Sequence, residues 1–72
     1  MAHCQVAAPM PGFIREILVK TGDEVQEDDE LMIIEAMKME NPILAPCGGV
    51  IKEIHVRSGE QIDAEKIVAT IE

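Results

Sequence analysis

Aromatic residues are nearly missing from this chain: Phe13 stands alone, with no Trp and no Tyr. A stacking platform for single-stranded bases needs several aromatic faces and is excluded. Basic residues are scarce as well. Six Lys and Arg face fourteen Asp and Glu, a formal net charge of −8, which removes any broad affinity for nucleic acid. No apolar run approaches the roughly eighteen residues of a membrane span, and the opening MAHCQVAAPM lacks a secretory apolar core. The chain therefore reads as soluble and intracellular, with no membrane insertion. Cysteine is limited to Cys4 and Cys47. Small disulfide scaffolds usually carry about four or more, so two reduced thiols are expected. His3 beside Cys4 makes no metal site, because zinc wants about three or four converging ligands. His55, inside an apolar run, reads as strand surface rather than a catalytic base.

What is present is one small domain, residues 1–72, with 47% hydrophobic residues to build its core. The chain repeats itself. At an offset of thirty-seven, residues 8–35 lie on 45–72 without a gap, and ten of twenty-eight positions are identical. Among them are Ala8/Ala45, Pro9/Pro46, Gly12/Gly49, Ile14/Ile51, Gly22/Gly59 and Glu35/Glu72. Conservative pairs such as Arg15/Lys52, Asp23/Glu60 and Leu31/Val68 add to the match. Each copy opens on Ala-Pro, runs through a β-branched stretch (Phe13–Lys20, Val50–Arg57) and turns at Gly22-Asp23 or Gly59-Glu60. A second apolar stretch then closes it. Short Ile- and Val-rich runs bounded by Gly and Pro are strand signals, and the four prolines interrupt every stretch long enough for a helix. We expect an all-β sandwich or flattened barrel of about seven or eight short strands, two similar sheets related by an approximate two-fold. The segment Glu24–Glu30 is expected to be a solvated loop with a short strand at Val25.

Residues 36–44 join the two copies, and the symmetry sets a turn at 36–40 opposite the chain end. At its centre Lys38 stands between Met37 and Met39, with Glu35 and Glu40 outside them. Such turns usually recruit Gly, Asn or Asp, and this one has none. Paired thioether side chains suit an adaptable contact surface; the plain alternative is a solvated lysine on a hairpin tip. Lysine at its ordinary pKa of about 10.4 is a poor nucleophile at neutral pH, and no base, oxyanion cluster or phosphate loop accompanies this one. It reads as a residue that another enzyme modifies.

The stretch Glu35-Ala36-Met37-Lys38-Met39-Glu40 resembles the attachment motif of the biotinyl (biotin carboxyl carrier) domain family. Ala8-Pro9-Met10-Pro11-Gly12 is similar to that family's opening, and Gly22-Asp23-Glu24-Val25 and Gly59-Glu60-Gln61-Ile62 to its two symmetric turns. The resemblance covers residues 5–72. It implies a flattened β-barrel of two four-stranded antiparallel sheets, with biotin joined by biotin protein ligase to Lys38 through an amide. Glu35, Ala36, Met37, Met39 and Glu40 would serve motif and partner recognition, although Glu35 has a structural alternative in its repeat mate Glu72. Biotin would take a carboxyl group at a biotin carboxylase, using ATP and bicarbonate, and carry it to a carboxyltransferase or decarboxylase. The domain itself would catalyse neither step and hold no metal.

The short segment Phe13–Gly22 implies the thumbless type, and Asp28 and Glu65 stand where relatives often have Gly, so those turns are expected to be reshaped. The resemblance further implies a cytoplasmic protein, or a mitochondrial matrix one in a eukaryote, either free-standing or cut from a longer chain. Two other readings stay open: a lipoyl-type acyl carrier, whose lysine usually follows Asp, and an unmodified interaction module. The acidic run Glu27-Asp28-Asp29-Glu30 is expected to be a solvated loop whose charge helps steer the domain toward basic partners.

Overall fold

The structure is a computed structural model and describes residues 4–72; His3 lies outside them. Eight strands follow in order: β1 (Cys4–Ala7), β2 (Gly12–Ile17), β3 (Glu24–Val25), β4 (Glu30–Ala36), β5 (Met39–Leu44), β6 (Gly49–Ile54), β7 (Gln61–Ile62) and β8 (Ile67–Ile71). They form two four-stranded antiparallel sheets, β5-β4-β2-β7 and β1-β8-β6-β3. We call these the hairpin sheet and the terminal sheet. No described residue is helical.

The hairpin sheet takes β2, β4 and β5 from the first part of the chain and its short edge strand β7 from the second repeat. The terminal sheet joins β6 and β8 of the second repeat to β1 and takes its short edge strand β3 from the first repeat. That exchange locks the copies together and repeats at an offset of thirty-seven. Gly22 N donates to Ile51 O (2.8 Å) and Gly59 N to Ile14 O (2.6 Å). Ile51 N donates to Asp23 O (2.8 Å) and Ile14 N to Glu60 O (2.9 Å).

Between the sheets Ile14, Leu31, Met32, Ile34, Ile51, Val68 and Ile71 are fully buried. Full burial of one such side chain contributes roughly 1.5–3 kcal/mol. Consecutive Leu31 and Met32 both reach the core because the β4–β5 register shifts between Glu30 and Met32, and a bulge lets neighbours face the same way. The expectation for 24–30 holds: Glu24–Val25 is a short strand and Glu27, Asp28 and Asp29 form an exposed loop before β4.

Two expectations are corrected. Cys4 and Cys47 are not free thiols but a disulfide, with their Cα atoms 6.6 Å apart. Chain closure brings them together. Cys4 pairs with Ile71 at the end of β8, Val50 exchanges hydrogen bonds with Glu72 there, and Cys47 sits in the corner just before Gly49. The turns at Asp28 and Glu65 are not reshaped either. Both residues keep a left-handed backbone, φ 74° and 67°, the region that glycine favours.

Candidate functional site

β4 and β5 pair as far as Ala36 and Met39, leaving Met37 and Lys38 as a two-residue loop. Both have positive φ, 54° and 65°, as a type I′ hairpin turn requires. Neither residue type favours that region, and each costs about 1–2 kcal/mol there. Met37 is 94% exposed and Met39 64%, and Lys38 is exposed with no ion pair among the described residues. Ala36 turns inward and is buried; a small side chain suits the narrowing end of the core. The tip therefore presents a primary amine in open solvent between two thioethers.

Behind the tip, Glu35 and Glu40 lie directly opposite each other across β4 and β5, a repulsive arrangement. Arg15 Nε sits 3.4 Å from Glu35 Oε1 and 3.5 Å from Glu40 Oε2. Arg15 reaches them from β2, whose register shifts between Ile14 and Glu16. The same construction recurs at the other end: Lys52, in the matching irregularity of β6, donates to Glu72 Oε2 at 2.6 Å. That hydrogen bond, with the charge of the carboxylate, raises the Lys52 pKa above its usual range. Glu35 thus has the structural partner its repeat mate has, and exposed pairs of this kind contribute little to stability.

The sequence does not mark Arg15 as a site residue by itself; the only signal for it is that Arg15/Lys52 and Glu35/Glu72 match together in the repeat. A shallow groove of about 470 Å³ opens beside this ion pair, lined by Phe13, Ile14, Arg15, Glu35, Ser58 and Gly59. His55 lies one residue past β6, its Nε2 2.9 Å from Thr70 Oγ1. No cluster of three metal-ligating side chains occurs among the described residues.

Residues 4–71 match the model of a protein family described as "Biotin-requiring enzyme". The chain belongs to this family. Over 38 residues it is 63% identical to the biotin carboxyl carrier protein of Streptococcus mutans, covering 53% of this chain and 29% of that protein. Over 39 residues it is 56% identical to the glutaconyl-CoA decarboxylase subunit gamma of Acidaminococcus fermentans, covering 54% of this chain and 27% of that one. These matches span less than a third of either relative. Among solved structures, the urea carboxylase of Kluyveromyces lactis superposes with a TM-score of 0.91 at 28% identity, over 99% of this chain and 6% of that one. Relatives of this chain include a carrier protein and subunits of both carboxylases and decarboxylases, and the family's cofactor is biotin.

Proposed function

We propose that this is a biotin carboxyl carrier domain whose attachment residue is Lys38. The observation that carries the reading is an unpartnered lysine at the apex of a turn held in the left-handed region, flanked by two exposed methionines. Amide formation needs a reachable amine, and nothing in the described residues covers or pairs with this one, so the site fits biotin. When bound, biotin supplies a ring that accepts a carboxyl group at one active site and gives it up at another.

The chain's own residues do the rest. The hairpin holds Lys38 at the extremity of β4 and β5, so an arm attached there reaches into clefts that exclude the body of the domain. Met37 and Met39 offer soft apolar contact to whichever enzyme surrounds the tip. Ala36 seats the turn on the core, while Glu35 and Glu40, held by Arg15, fix the strands beneath it. No described group near Lys38 is placed as a base or oxyanion donor, which supports a carrier acted on by others.

The partners we assign are biotin protein ligase, a biotin carboxylase, and a carboxyltransferase or decarboxylase. No described helix is long and apolar enough to cross a membrane. We assign the cytoplasm, or the mitochondrial matrix in a eukaryote; disulfides are rare in such compartments, so the dithiol form is the one expected to act there.

The test is an intact mass after incubation with biotin protein ligase, ATP and biotin, beside a Lys38→Arg control. One added biotinyl group in the native chain alone is the expected result. No addition to a folded native chain would end the biotin reading and bring a lipoyl carrier or an unmodified docking module forward.

A further inference from the structure

Four methionines lie within the described residues, and the fold treats them in opposite ways. Met32 is fully buried between the sheets. Met10 is half-buried against the core, and its sulfur accepts the Asn41 side-chain amide at 3.9 Å. Met37 and Met39 stand on either side of Lys38, 94% and 64% exposed.

A thioether is oxidised to the sulfoxide where an oxidant reaches it, so exposure sets the order of attack. Here that order is Met37, Met39, Met10, with Met32 shielded. In the disulfide form no free thiol among the described residues competes for the oxidant. The oxidisable sulfur is thus gathered at the one place where other enzymes handle the chain.

Oxidation at the tip leaves the barrel alone. Neither Met37 nor Met39 belongs to the core, and the turn is closed by the pairing of Ala36 with Met39 and seated by buried Ala36. What changes is the surface. A soft apolar thioether becomes a polar, chiral group with an acceptor oxygen. A partner pocket made for apolar contact loses that contact and must strip water from the new oxygen.

We propose that Met37 and Met39 form a reversible oxidation site, at which peroxide weakens the hold of biotin protein ligase and biotin carboxylase on the Lys38 tip. The effect on those enzymes rests on the carrier reading above; the site of oxidation does not. In the forward step hydrogen peroxide gives one oxygen atom to the sulfur. Its O–O bond breaks, an S–O bond forms, the sulfur gives up two electrons and water leaves. In the return step a methionine sulfoxide reductase removes the oxygen as water. Two electrons and two protons come from a dithiol, which becomes a disulfide.

The unmodified chain in its disulfide form is treated with hydrogen peroxide, and catalase ends the reaction before biotin, itself a thioether, is attached. Fragment masses follow each sulfur separately. Met37 and Met39 are expected to gain one oxygen each about ten-fold or more faster than Met32, with Tm unchanged. KM should rise about three-fold or more at biotin protein ligase, or at biotin carboxylase once the chain is biotinylated, with little change in kcat. Methionine sulfoxide reductases A and B with thioredoxin should restore it. The native chain given the same reductases without peroxide marks any effect of opening the disulfide. Met37→Leu with Met39→Leu should hold its own KM, whatever its value, through the same peroxide treatment.

Uniform oxidation of the four methionines, or faster attack at Met10 or Met32, overturns the proposal. Native KM at both enzymes after oxidation of a folded chain does so too. An equal effect in the Leu variant, or no recovery with the reductases, is equally fatal. A native chain that accepts no biotin defeats the carrier reading instead, while the fragment masses still decide the oxidation site.

Discussion

Among the described residues, four that bear side chains hold positive φ: Asp28, Met37, Lys38 and Glu65. Asp tolerates that region through local hydrogen bonding, whereas Glu, Met and Lys gain nothing from it. At the tip the strain buys a tight reversal that presents the amine, and strain retained at working sites is common. Glu65 has no such role. Glu65→Gly is therefore expected to raise stability by about 1 kcal/mol and leave acceptance by biotin protein ligase unchanged, measured by urea denaturation and intact mass. Lys38 was legible because its neighbours are unusual for a turn. The left-handed backbone beneath it was not, since Met and Lys prefer other conformations and the demand comes from the twist of the paired strands.

The strands announce themselves by Gly and Pro at their ends, and the repeat makes the two-fold visible in the sequence itself. What stayed hidden was the exchange of β3 and β7 between sheets. Each is two residues long, too short for any periodicity, and its partners are chosen by closure of the whole molecule. Gly12 and Gly49 show why the repeat keeps glycine where β2 and β6 begin. A Cβ at Gly12 would collide with the Glu35 carbonyl oxygen, and one at Gly49 would stand 2.7 Å from that of Glu72. Strand pairing is closest there, and backbone cannot give way as a side-chain tip can. Gly12→Ala is expected to destabilise by about 2–4 kcal/mol, within the range for overpacking and strain. Thermal melts should show the loss, with Thr21→Ala as an exposed reference that changes little.

At the level of the molecule, the disulfide ties the first described strand to the corner between β5 and β6. No spacing rule forecasts a bond across 43 positions; it follows from β1 closing the terminal sheet. Linking so long a loop restricts the unfolded chain by up to about 4 kcal/mol in the chain-entropy account. Cys4→Ser with Cys47→Ser is expected to cost about 2–4 kcal/mol, lowering Tm by roughly 10 °C or more. The native chain in dithiothreitol should melt like the variant, and a Tm insensitive to the reductant would show that the bond adds nothing.

The protein measures 36 × 18 × 18 Å, and its two working ends are separated along the strands. Lys38 is at one pole; Cys4, Glu72 and the disulfide are at the other. The body is a lever. Should it pivot about the pole where Cys4 pairs with Ile71, a small rotation there becomes a long excursion of the lysine. The side chain and whatever it bears then need only cover the remainder. Stiffness in the barrel is in this sense the longer part of the reach, and the cross-strand pairing that runs from the Lys38 hairpin through the barrel is what keeps that lever from bending.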